Sequence, residues 1–212
     1  MWSDLPNPWQ VCLEQAWEAY CNDCVPIGAA VTGPDGNVLS RGRNRIYENV
    51  KPAGDSNGAA LEHAEVEALR ALDLDAVNPH SCTLYTTTEP CPMCMGTFYM
   101  SGLRSLQYAS RDPYAGSTNM LRTTWYLSAK QIKVSGPDPA LEIVVVAMFV
   151  EWELGIHAGK LPGGLFWDMY GKTFAEGIDL GRQLFEQGEL RKMRRKGMTA
   201  GDVHERISLL VK

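Results

Sequence analysis

Apolar positions recur at helical spacing early in the chain. Trp9, Cys12, Leu13, Ala16, Trp17 and Tyr20, following Pro8, predict an amphipathic first helix over residues 9–20 whose aromatic rings face a core. The stretches "VPIGAAVT" and "NVLSRGRN" flank "GPDG", a strong turn sequence, and predict a β-hairpin. Residues 50–59, "VKPAGDSNGA", carry turn formers without periodicity and are expected to be a loop. Val66, Leu69 and Leu72 then share one side of a helix expected from about Leu61 to Leu72. "SCTLYTT" (81–87) reads as a buried strand and is followed by a helix beginning near Cys91. "LRSLQYAS" is the next strand, "RDPYAGSTN" a turn-rich loop, and "QIKVSG" a fifth strand.

Residues 139–154 support two periods. The β-branched run Ile143 to Val146 favours a strand, whereas Leu141, Val144, Val145, Met148, Phe149 and Trp152 keep helical spacing. Asp138 before Pro139 is a good cap, and with that spacing it favours a buried helix. "GIHAGKLPGG" (155–164) reads as a linker. Beyond it Phe166, Met169, Tyr170, Phe174, Ile178 and Phe185 predict helix, against the cost of interior glycines. Thr199 with Asp202 three residues on resembles a capping box for a last short helix. Helices alternating with strands predict an α/β fold, a three-layer α/β/α sandwich around one sheet. The expected division is a domain over 1–154 and a helical C-terminal extension over 155–212 packed on it.

Composition narrows the setting. At 212 residues, 45% hydrophobic and 21% charged, the chain has material for an ordinary globular core. The opening "MWSDLPNPWQ" has no apolar core of a signal peptide. The longest apolar run, Ile143 to Val150, is bounded by Glu142 and Glu151 and falls far short of the roughly 20 residues that span a bilayer. Six cysteines without a secretory signal point to reduced thiols, metal ligation and a cytoplasmic location. A net charge of −5 provides no global field for nucleic acid. The basic run "LRKMRRKG" reads as a solvated helix face ahead of a nucleic-acid contact.

The chemistry gathers around "TEPCPMC". Proline is tolerated at the first helical position, so Cys91 becomes the cap and Cys94 lies on the first turn. Residues three apart share a helix face, so both sulfurs can reach one ion. Upstream, "LEHAEVEAL" places His63 and Glu65 at the start of the second helix. Positions i and i+2 diverge within a helix, so both approach one metal only if the ion lies off the helix end. One imidazole and two thiolates leave a fourth position for water, the mark of a catalytic zinc. The competing reading joins "CPMCMG" to Cys21 and Cys24 in a four-thiolate structural site and leaves His63 and Glu65 unused. On the first reading Cys12, Cys21, Cys24 and Cys82 are buried or partly exposed thiols. His80, His157 and His204 have no ligand-spaced partners and read as surface or capping residues. Glu89 shapes the turn before Pro90, and Asp112 either faces a pocket or caps a turn.

"HAEVEAL" followed by "TTTEPCPMC" resembles the H-x-E and P-C-x-x-C pair of the zinc-dependent cytidine and deoxycytidylate deaminase superfamily. "VPIGAAVTGPDGNVLSRGRNR" and "SRDPYAGS" are similar to the guanine deaminase and tRNA adenosine deaminase branch, and the resemblance covers roughly residues 9–155. It implies a mixed five-stranded sheet and one zinc ion per chain, held by His63, Cys91 and Cys94. Glu65 is then the proton shuttle, while Asn44 and the backbone at Ala64 line the substrate pocket, with Asp112 a further pocket candidate. The implied reaction releases ammonia from a free nucleobase, a nucleoside or a related heterocycle, with guanine favoured. A tRNA adenosine deaminase is the alternative, disfavoured by the acidic balance, and a non-catalytic zinc module is the third. A homodimer is the expected assembly.

Overall fold

The computed structural model describes residues 1–48 and 59–211. The loop expected over 50–59 lies outside the described residues except for Ala59. Helix α1 spans Asn7–Cys21, with Pro8 in its first turn where a missing N–H costs nothing. Strands β1 (Gly28–Thr32) and β2 (Val38–Arg43) form the antiparallel hairpin around Gly33–Gly36. Helix α2 runs over Ala64–Arg70, later than the periodicity indicated, because His63 takes the cap and residues Ala59–Leu61 form a separate 3-10 turn. Strand β3 (Thr83–Thr88), helix α3 (Pro92–Ser101), strand β4 (Ser105–Ser110), the one-turn helix α4 (Trp125–Ser128) and strand β5 (Lys133–Ser135) follow.

The five strands form one sheet in the order β2-β1-β3-β4-β5. β1 is antiparallel to β2 and β3, and β4 is parallel to β3 and β5, so the sheet is mixed. Period-two alternation sorts its side chains between two cores. Ala29, Val31, Leu84 and Leu106 pack with Ala68 and Leu69 of α2 and Met95 and Phe98 of α3. Ala30 and Ala109 point the other way, onto Trp9 and Leu13 of α1 and onto Leu141 and Val145. This is the expected α/β/α sandwich. Gly42 makes its site-bearing side tight: a Cβ there would sit 2.4 Å from the Ala64 carbonyl oxygen, so α2 rests directly on the β2 backbone.

Helix α5 (Pro139–Ile156) settles the ambiguous stretch. Asp138 accepts hydrogen bonds from the N–H groups of Ala140 and Leu141, and the helix is apolar almost all round because it is covered on every side. Leu141 and Val145 face the sheet. Val144, Ala147 and Met148 face α1, α7 (Ala175–Gln187), α8 (Glu189–Arg195) and α9 (Ala200–Ser208). Val146 and Val150 meet α6 (Leu165–Thr173) and α7. The aromatic stretch after 165 is therefore two helices, broken at Phe174, whose extended φ of −129° ends one and starts the next. Thr199 and Asp202 form the expected capping box of α9. His204 is buried against Trp2, contrary to its expected surface place, because α9 folds back over the chain start. His157 ends α5 and pairs with Glu153, and His80 lies beside Arg104. Among the described residues no helix is long and apolar enough to cross a membrane.

Candidate active site

The sheet brings the starts of α2 and α3 to one edge. Cys91 caps α3 with Pro92 at its first position, and His63 caps α2. His63 Nδ1 lies 3.8 Å from Cys91 Sγ and 3.6 Å from Cys94 Sγ. All three donor atoms fall within 4.8 Å of one another. Metal–sulfur and metal–nitrogen bonds of ~2.3 and ~2.1 Å about a tetrahedral centre require donor separations of about 3.6 Å, so the three atoms are spaced for zinc. Their charges fit as well. The Cys94 hydrogen bond and then the His63 imidazole push the Cys91 thiol down to about 4. Cys94 is pushed up, first by the neighbouring Cys91 sulfur and then by burial and by Glu65. One imidazole and two cysteine sulfurs at this spacing are the donor types that a zinc ion takes. Cys21 and Cys24 stand outside this cluster, so the four-thiolate reading has no geometric support.

Glu65 lies beside the donors. Its Oε2 accepts from Cys94 Sγ at 3.3 Å, and its Oε1 accepts from the Thr86 hydroxyl at 3.0 Å. Only 4% exposed, its carboxyl is raised above the usual range by burial. Thr86 was invisible to motif reasoning, since one threonine in the run "TTT" differs from its neighbours only by which face of β3 it occupies.

A cavity of about 190 Å³ opens from His63 and is lined by Asn44, Thr88, Ser110 and Asp112 together with α5 and α6. Asn44 is 2% exposed, and its Oδ1 accepts from the Ile46 N–H, so its amide nitrogen is the end left for the cavity. Ala64 is wholly buried in the sheet-side core and is not among the lining residues, so the place in the pocket that the resemblance implies for its backbone is not seen. Asp112 does both things the sequence left open: Oδ1 caps the turn by accepting from the N–H groups of Tyr114 and Ala115, and the residue also lines the cavity. Glu89 holds that turn in place, accepting from the Thr118 hydroxyl at 2.5 Å and from the Asp112 N–H at 3.4 Å.

The zinc-binding region of cytidine and deoxycytidylate deaminases matches residues 6–110. The cytosine deaminase of Candida albicans is 32% identical over 114 residues, 53% of this chain and 70% of that protein. The chain belongs to the cytidine and deoxycytidylate deaminase family. A tRNA(Ile)-lysidine synthase of Deinococcus deserti is 34% identical over 119 residues, 53% of this chain but 21% of its own length, so this chain spans only about a fifth of that relative. A protein crystallised in complex with 2,6-diaminopurine superposes with a TM-score of 0.52 at 25% identity, over 76% of this chain and 87% of that one. The family match stops at Ser110. The Asp112 turn and the helices after α5 lie beyond it.

Two parts of the cavity wall, Phe166 and Tyr170 of α6, escaped the sequence reading. Their spacing announces a helix with a buried face, but nothing local tells that the face meets a ligand cavity rather than core alone. The basic run is largely engaged within the fold: Arg194 pairs with Asp23, Arg191 lies 3.6 Å from Glu151 and over the Phe185 ring, and Lys192 donates to the Gln187 carbonyl.

Proposed function

We propose that this protein is a zinc-dependent hydrolytic deaminase that releases ammonia from an aminated nucleobase, nucleoside or related heterocycle, with guanine favoured. The observation that carries the reading is the buried Glu65 carboxyl placed next to a His–Cys–Cys donor set whose His63 lines the cavity. Bound by His63, Cys91 and Cys94, zinc supplies a water activated near neutral pH and a Lewis-acidic centre. Glu65 takes a proton from water and passes protons to a ring nitrogen and to the departing amine, work that typically contributes about 10² to 10⁴-fold. Thr86 holds Oε1, leaving Oε2 on the donor side to exchange the proton. Asn44 supplies an amide to the substrate. The purine bound to the superposed protein supports the preference for a purine. Cysteines kept reduced for a metal support a cytoplasmic setting.

The test pairs elemental analysis with an ammonia-release screen across guanine, adenine, cytosine, their nucleosides, triazines and a tRNA anticodon stem-loop. About one zinc per chain is expected, and Glu65→Gln keeps it while losing at least roughly a hundredfold in turnover. A zinc-free protein purified without chelator, or a Glu65→Gln variant with near wild-type rate, overturns the reading. Preference for the stem-loop moves the protein to the tRNA branch.

A further inference from the structure

We propose that Glu48 is a positioning residue of the active site, a clamp on the two arginines that flank Asn44, and that it aims the asparagine amide at the substrate. The inference rests on the deaminase reading and deepens it, because Asn44 is the residue given the substrate contact there. Asn44 follows Arg43, the last residue of β2, and is 2% exposed. Its N–H donates to the Ile27 carbonyl at 3.0 Å, and its Oδ1 accepts from the Ile46 N–H at 3.2 Å. Residues 45–48 then form a turn outside any strand or helix, the kind of segment that opens locally at low cost.

Side chains supply the hold that a ladder would give. Glu48 Oε2 accepts from Arg45 Nε at 2.6 Å, and its Oε1 accepts from Arg43 Nη2. Each arginine is tied in turn to a different helix. Arg43 Nε donates to Glu18 of α1 at 3.1 Å, and Arg45 Nη1 donates to Glu67 of α2 at 3.3 Å. One carboxylate thus closes a bridge between two helices, with Asn44 between its two arginines. The side chains of Arg43, Arg45 and Glu48 are 15%, 18% and 16% exposed, so solvent screens these pairs less than it does ion pairs on an open surface. Burial pushes the Glu48 carboxyl up, but the hydrogen bonds from Arg45 and Arg43 outweigh it and hold the group below the usual carboxylate range.

The consequence reaches the cavity. Ile27, Asn44 and Ile46 all line it, and the hydrogen bonds of this segment join all three. Tyr47, in the same turn, stacks on Trp152 of α5 at 5.9 Å. Glu48 itself is not among the lining residues, so it acts on a substrate only through Asn44. Misplacing a substrate-positioning group by ~1 Å can cost about a hundredfold in rate, which is the reason to spend a partly buried charge network on one amide.

A double-mutant cycle separates aiming from folding. Glu48→Gln keeps the side-chain shape and removes the charge that bonds both arginines. Asn44→Ser keeps an oxygen for the Ile46 N–H and removes the amide. Glu189→Gln is the control, since it takes a partly buried carboxylate from Arg206, away from the cavity. Steady-state kinetics of the full chain are measured with guanine, cytosine, guanosine, cytidine and the RNA stem-loop, alongside zinc content. Expected is a KM raised about fivefold to tenfold by Glu48→Gln, with kcat and zinc within about threefold. In the Asn44→Ser background the same substitution changes KM by less than about twofold, because the group it aims is gone. Glu189→Gln leaves KM within about twofold of wild type. Loss of zinc or an unchanged KM in Glu48→Gln, an equal rise with and without Asn44, or an equal rise in Glu189→Gln overturns the proposal. If wild type releases ammonia from nothing tested, the deaminase reading falls. Calorimetric titration with 2,6-diaminopurine then judges the clamp by itself: equal affinity in wild type and Glu48→Gln, an equal loss in the Asn44→Ser background, or no binding to wild type overturns it.

Discussion

Thr86 shows how much of this site depends on one hydroxyl. It lies on β3, fully buried, and donates to Glu65 Oε1 at 3.0 Å while Cys94 approaches the other oxygen. A hydrogen bond to a charged or proton-exchanging carboxyl is worth about 1.5–3 kcal/mol. Thr86→Val keeps the shape and removes the donor, so kcat is expected to fall roughly tenfold or more with KM and zinc content nearly unchanged. Loss of zinc in parallel with activity is the result that contradicts this positioning role. The four residues at the centre, His63, Glu65, Cys91 and Cys94, were legible because each pair lies within one helix start, where spacing along the chain is spacing in space. Thr86, Phe166 and Tyr170 were not, since only the sheet and α6 bring them there.

Among the elements, α7 packs directly against α5. A Cβ at Gly177 would lie 2.7 Å from Val146 Cγ1, and one at Gly181 would lie 2.6 Å from Val150 Cβ. The glycines that weaken α7 by propensity are therefore what lets it lie flat on α5. Gly181→Val overpacks this contact by about 1–3 kcal/mol, and at roughly 2–4 °C per kcal/mol the thermal midpoint should drop by several degrees. Gly171 has open space at its Cβ position, so Gly171→Ala is the control expected to leave the midpoint in place or raise it. Equal midpoints for Gly181→Val and wild type would show that the helices do not pack this way. The same contact explains the unusual pattern of α5. Burial on all sides erases the polar face by which a helix is normally told from a buried strand, and the Asp138 cap together with the spacing of Leu141, Val144, Val145 and Met148 distinguished them.

At the scale of the molecule, an apolar groove remains between α2 and α3, lined by Val66, Leu69, Leu74, Met93 and Met100. Met100 is 68% exposed and adjoins Tyr126, while Trp125 is 87% exposed. We propose this face as the contact of a homodimer, since exposed apolar patches of this kind mark protein interfaces. Light scattering should give twice the chain mass, and Met100→Lys should shift the protein towards monomer with zinc retained. A monomeric wild type at micromolar concentration refutes the assembly. The short-range patterns in the chain sufficed for the order of helices and strands and for the gathering of His63, Glu65, Cys91 and Cys94, because caps, turns and ligand pairs act over a few residues. Which aromatics close the cavity, which threonine holds Glu65 and why α7 carries glycines were decided by tertiary packing. Those contacts join residues far apart in the chain, from Glu65 with Thr86 and Val150 with Gly181 to His63 with Tyr170 across the cavity, and burial selects which faces meet.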